Sequence, residues 1–207
     1  MRDSLIIVGC FIAGVIVAVA GFMPEGLPLG DITTWGLYLL LFCVGLGLGM
    51  DETFFRTVKE IPLSSLLLPL YTVVGSLLGG LAAWFLVELI YSTPPVTLLD
   101  TAAVSSGFGY YSLSSVFLDE ARGPFIATIA LAANLLRELL TLLFAPLIRK
   151  GFGPFSVISA GGATSMDTTL PAVVANSGNA YAAVSVYHGF VLTVAVPFIV
   201  TFFISLY

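Results

Sequence analysis

Charge is what this sequence has least of: of its 207 residues only 9% are Asp, Glu, Lys or Arg, and just seven are Lys or Arg. So few cations cannot build a nucleic-acid face, whose affinity comes from neutralising many phosphates. Cysteine is confined to Cys10 and Cys43, both inside apolar runs, where they read as packing residues and say nothing of redox compartment. Histidine occurs once, as His188. No hydrolase elbow, metal-ligand cluster, P-loop or dinucleotide fingerprint is present, so neither an enzyme nor a cofactor is expected.

What is abundant is hydrophobic surface: 58% of the chain is apolar and the mean hydropathy is +1.08. A bilayer core of roughly 30 Å takes about 20 apolar residues per helical crossing. Runs of that order span Leu5–Met23, Thr34–Met50, Ile61–Tyr91, Pro124–Leu147 and Tyr181–Leu206. Their unbroken apolarity argues for helices, because a transmembrane strand is shorter and alternates polar with apolar. The expected fold class is therefore all-α integral membrane, with residues 1–207 forming a single transporter domain. Ile61–Tyr91 reads as one tilted helix, with Pro62 and Pro69 allowing a kink near its start. Arg2 and the Ala18-Val19-Ala20 stretch also fit a signal peptide, but the first run is long for one and reads as a retained helix.

Two stretches break the pattern, near 98–118 and 155–175. The first centres on Ser106, Gly107, Tyr110 and Ser112; the second holds Gly162, Thr164, Ser165, Asp167, Thr168 and Pro171. Glycine, clustered hydroxyls and a carboxylate are poor choices for a lipid-facing helix, since freed backbone groups find no water there. Such backbone is expected beside a wet cavity, as in the discontinuous helices of secondary transporters. Val104-Ser105-Ser106-Gly107 also matches Ile158-Ser159-Ala160-Gly161 weakly, which would suit an inverted repeat. Small-residue helix packing is the plain alternative.

Cation placement sets the expected topology. With 98–118 entering and leaving on one face, Arg2, Arg56, Lys59, Arg149 and Lys150 all fall in the cytoplasm, as the positive-inside bias favours. The reading is about five crossings and two re-entrant or discontinuous segments, the first from outside and the second from inside. The N-terminus is then cytoplasmic and the C-terminus outside; seven full crossings is the competing topology.

Asn134, Arg137 and Glu138 lie near the middle of the fourth run, where an ionised side chain is costly and so faces the bundle interior. Glu138 is assigned to cation or proton handling, and Arg137 to an orienting role; a buried structural pair is the rival reading. Asp167, among four hydroxyls, suits a protonated amine or a hard cation such as sodium, or caps the helix that restarts before Pro171. His188 is read first as a hydrogen-bonded packing residue and only then as a proton relay.

Taken together, Ser106-Gly107-Phe108-Gly109-Tyr110-Tyr111-Ser112-Leu113-Ser114, Asn134-Leu135-Leu136-Arg137-Glu138-Leu139, Gly162 to Pro171 and His188-Gly189-Phe190 resemble the LysO family of lysine exporters. The resemblance covers nearly the whole chain. It implies multi-pass residence in the cell membrane and lysine efflux driven by an opposing proton or sodium gradient, with Glu138 important. Many members carry a further N-terminal block of membrane segments, which a small membrane subunit or a homodimer would here replace. Alternatives are a carboxylate or cation/proton carrier of the same architecture, a non-transporting scaffold subunit, and, ranked low, an intramembrane hydrolase using Ser105 or Ser106 with His188, or Asp167 with Glu138.

Overall fold

A computed structural model describes residues 63–91 and 95–207, together with positions 13, 16, 17, 19–21, 35, 39, 42, 46 and 50. The expected runs Leu5–Met23 and Thr34–Met50, both cysteines, and Arg2, Arg56 and Lys59 lie wholly or largely outside the described residues. The chain divides into two units, 1–45 and 46–207, and everything below concerns the second. Among the described residues every regular element is helical.

Among the described residues, three helices are long and apolar enough to cross a membrane. The first is α1, Leu68–Ile90; a single helical turn, Leu63–Leu66, precedes it, and the break at Leu67 falls just before Pro69, which has no N–H to continue the ladder. After it come α2, Leu98–Ser105, and α3, Tyr111–Arg122. The second long helix is α4, Pro124–Phe152. It is followed by α5, Pro154–Gly161, a 3-10 turn at Gly162–Met166, and α6, Leu170–Ser177. The last is α7, Ala182–Ile204, entered through a 3-10 turn at Asn179–Tyr181.

A Gly-Pro pair punctuates both ends of α4. Gly123 (φ 81°) closes α3 and Gly153 (φ 93°) closes α4, each in backbone space that favours glycine, and the following proline starts the next helix. The expected end of α4 at Leu147 is corrected: the helix runs on to Phe152, so Arg149 and Lys150 lie in its last turn. There they meet the negative end of the macrodipole, while Pro146 interrupts only one ladder bond.

Two contacts fix how the short helices run. The Asp100 carboxylate, in the first turn of α2, pairs with Arg122 Nε at the end of α3 at 2.9 Å, so segment 98–122 begins and finishes in one place. Ser177 Oγ at the end of α6 donates to the Pro154 carbonyl at the start of α5 at 2.9 Å, so segment 154–177 does the same. Tyr207, just beyond α7, donates its hydroxyl to Asp100 at 2.6 Å. At the opposite end, the Tyr187 hydroxyl reaches the Leu66 carbonyl and Phe155 stacks edge-on against Tyr181. The two doubled-back segments therefore open at opposite ends of the bundle. A core of Ala145, Val157, Ile158, Val173 and Val184 knits the second to α4 and α7.

Asp100 meets Arg122, just before α4, and Tyr207, just beyond α7, and is nearly fully buried. It closes a capping box with Thr97 and accepts from both Arg122 and Tyr207, while the Arg122 guanidinium stacks on the Tyr207 ring at 3.9 Å. Burial alone would push the carboxyl up, but hydrogen bonds from Arg122, Tyr207 and Thr97 outweigh it and bring the pKa from 3.8 to about 2. A depressed carboxyl stabilises the fold above its ordinary pKa and loses that contribution as pH falls through the folded value. Thermal stability of the detergent-solubilised protein is thus expected to hold down to about pH 4 and then decline toward about pH 2. Asp100→Asn should flatten that decline and cost about 1.5–3 kcal/mol at neutral pH.

Candidate functional site

The turns of the two doubled-back segments touch. The α2–α3 turn is Ser106–Tyr110, and its Phe108 carbonyl accepts the Ala163 amide of the other turn at 2.8 Å. Phe108 is fully buried at φ 46°, left-handed space that a bulky residue enters only when its surroundings hold it there. Glycine makes the approach possible. A Cβ on Gly109 (φ +95°) would stand 3.0 Å from the Gly161 carbonyl oxygen, and one on Gly162 (φ +67°) would run into the Phe108 carbonyl. Gly189 of α7 gives similar access, since a Cβ there would lie 2.6 Å from the Met166 amide.

Each turn leaves backbone groups without helical partners, and α4 supplies the replacements. Asn134, 4% exposed, accepts from the Gly109 amide at 2.7 Å and donates to the carbonyls of Val104 (3.2 Å) and Ala130 (2.9 Å). One turn on, Arg137 donates through Nε to the Ala160 carbonyl at 2.8 Å and through Nη2 to the Ser159 carbonyl at 2.7 Å. Those carbonyls end α5, where the helix dipole is negative and a guanidinium is favoured. Its Nη1 meets Ser76 Oγ of α1 at 2.9 Å. One side chain of α4 thus holds each turn.

The second turn is also held from α7. Ser165 Oγ lies 2.9 Å from His188 Nδ1 and 3.1 Å from the Ser185 carbonyl, and Ser185 Oγ donates back to the Ser165 carbonyl at 2.6 Å. The other nitrogen of His188, Nε2, is 2.8 Å from Thr72 Oγ1 of α1. The imidazole is fully buried with both nitrogens engaged. Thr164 Oγ1 donates to the Gly161 carbonyl at 2.9 Å and touches Thr169 Oγ1 at 3.3 Å, tying the turn to itself.

The residues expected from sequence fall into three groups. Gly107, Asn134, Arg137, Gly162, Thr164, Ser165 and His188 gather at the crossing of the turns and build it. A Cβ on Gly107 would lie 2.5 Å from Asn134 Nδ2. Ser106 is buried, and its hydroxyl donates to the Ala102 and Ala103 carbonyls of its own helix, both at 2.9 Å. Asp167 and Thr168 are exposed next to the crossing, and the Asp167 carboxylate accepts the Thr168 amide. Half-buried Tyr110 lies within electrostatic reach of Asp167. Glu138 is half-buried and bonds no described residue, and Ser112 is exposed on α3, away from the crossing network. The sequence reading gives no role at the site to Phe108, Thr72, Ser76 or Ser185.

Chemically, the arrangement is a crossing in which Arg137 holds the carbonyl end of α5 and Asn134 the Gly109 amide, while the N-termini of α3 and α6 carry no side-chain cap, beside two carboxylates that have no cationic partner among the described residues. Comparison with known proteins bears on what such a site serves. The family described as Lysine exporter LysO matches residues 8–204. The Lysine exporter LysO of Escherichia coli (strain K12) is 34% identical over 206 residues, 97% of this chain and 64% of its own length. A Haemophilus influenzae protein whose name also refers to lysine export is 33% identical over 171 residues, 82% of each chain. The chain therefore spans just under two thirds of the Escherichia coli relative. No solved structure matches it.

Proposed function

This chain belongs to the LysO lysine exporter family, and from that premise we propose that it exports lysine or a related cationic amino acid across the cell membrane by antiport with protons or sodium. Asp167 and Glu138 engage the substrate ammonium or the coupling cation. The N-termini of α3 and α6, which open from the crossing, face the substrate carboxylate. Arg137 orients the site by holding the end of α5.

The observation that carries this reading is the imbalance at the crossing. The one guanidinium there is spent on carbonyls and Ser76, while exposed Asp167, in the loop after the second turn, and half-buried Glu138, next to Arg137 on α4, pair with no described cation. Uncompensated acid groups within an apolar bundle call for a mobile cation. Five crossings and two re-entrant segments, with the C-terminus outside, make up the topology we propose. The ion pair Asp100–Arg122 and the Ser177–Pro154 bond support it by bringing both ends of each broken segment to one face. A small membrane subunit or a second copy of the chain is the proposed partner.

In proteoliposomes loaded with lysine, Glu138→Gln and Asp167→Asn are each expected to lower labelled-lysine counterflow at least about tenfold, with the protein still folded. Full counterflow in both variants removes this mechanism.

A further inference from the structure

The inner face of α1 carries an unexplained pattern. Thr72 and Ser76 sit one helical turn apart, so they share a face, and the same face continues to Gly80. Elsewhere the helix turns Tyr71, Val74, Leu78 and Phe85 outward. A hydroxyl in such an apolar helix has no packing advantage over alanine or valine. Each of these two meets a side chain that holds the second turn: Thr72 Oγ1 lies 2.8 Å from His188 Nε2, and Ser76 Oγ accepts from Arg137 Nη1 at 2.9 Å. His188 then reaches Ser165, and Arg137 reaches the Ser159 and Ala160 carbonyls. At Gly80 an added Cβ would collide with the Ser105 side chain at the end of α2, so this stripe also abuts the first turn.

We propose that Thr72 and Ser76 are positioning residues for the transport site: α1 sets the 159–165 turn, and through it the Asp167 loop, by bonding His188 and Arg137. This rests on the transport reading above. Thr72 Oγ1 can donate to the Leu68 carbonyl, 3.1 Å away, while its lone pair receives the imidazole N–H. Ser165 Oγ has the same choice between the Ser185 carbonyl and Nδ1. The ring is therefore satisfied on both sides only while both hydroxyls are present. Removing Thr72 Oγ1 leaves Nε2 against hydrocarbon and lets the ring, and with it Ser165, relax.

His188 is the sole histidine, so a histidine-labelled sample gives one imidazole signal pair. Thr72→Val is expected to move the Nε2 nitrogen resonance and to lower the maximal lysine counterflow rate about five- to tenfold with a smaller change in KM. Ser76→Ala is expected to lower the rate similarly without moving that resonance as far. Thr72→Ser, which keeps the hydroxyl, returns both readouts to near wild type. Thr128→Val removes an exposed hydroxyl bonded only to Pro124 and is expected to change neither. An unmoved resonance in Thr72→Val, or a Thr72→Ser rate as low as that of Thr72→Val, overturns the assignment. The resonance is read without transport. A wild-type chain that moves no lysine therefore counts against the export reading, while the response of His188 still decides this one.

Discussion

Gly162→Ala is expected to abolish lysine counterflow and to lower stability by about 3 kcal/mol or more, read as a large drop in thermal midpoint in detergent. Two costs combine. At φ 67° an L side chain is strained in any surroundings, which accounts for roughly 1–2 kcal/mol. The new methyl would also overlap the Phe108 carbonyl, which is backbone and already bonded to the Ala163 amide. Relief requires the two turns to separate, which breaks that bond and pulls Gly109 from Asn134. Gly151 supplies the contrast: nothing lies within 4 Å of its Cβ position and it is helical, so Gly151→Ala should raise stability by about 0.5–1 kcal/mol. Equal behaviour of the two variants would mean that the turns do not cross as described.

Arg137→Met is expected to be nearly as damaging, at about 3–5 kcal/mol of stability with counterflow lost. The methionine fills much of the volume, so the loss reports hydrogen bonds and not a cavity. The Ser159 and Ala160 carbonyls at the end of α5 and the Ser76 hydroxyl would lose their donor where no water replaces it. Arg137→Lys separates charge from geometry. An ammonium restores positive charge at the dipole end but cannot span both carbonyls and Ser76 in one plane. It should recover most of the stability while exchange stays down on the order of tenfold. A lysine variant with full exchange would reduce Arg137 to a charge alone.

The long helices were legible because length and apolarity are enough to define them: Ile61–Tyr91 and Tyr181–Leu206 from sequence meet Leu68–Ile90 and Ala182–Ile204 in the structure. The end of α4 differs because the apolar run stops at Leu147, before the cations at 149 and 150, whereas the helix keeps Pro146 in its interior and carries both cations in its last turn. The family resemblance, read from motifs around Ser106, Asn134, Gly162 and His188, is borne out by the match over 8–204. Asn134, Arg137 and His188 could be found because polarity at the centre of an apolar run is expensive and has to be explained. Phe108 could not: its contribution is a carbonyl and a backbone angle, and nothing about an apolar side chain announces either. Thr72 and Ser76 were silent for a different reason. Threonine and serine pass cheaply through apolar helices by bonding the carbonyl a turn earlier, as Thr72 does to Leu68, so their presence raises no alarm.

Asn134 and Arg137 stand three residues apart on one continuous helix, about 4.5 Å along its axis and some 60° apart around it. That short stretch is a ruler that fixes the phase between the two turns. Loops at either end of the bundle can lengthen without disturbing it. A single residue inserted between Asn134 and Arg137 would swing one anchor by about 100° and leave the turns with no common register.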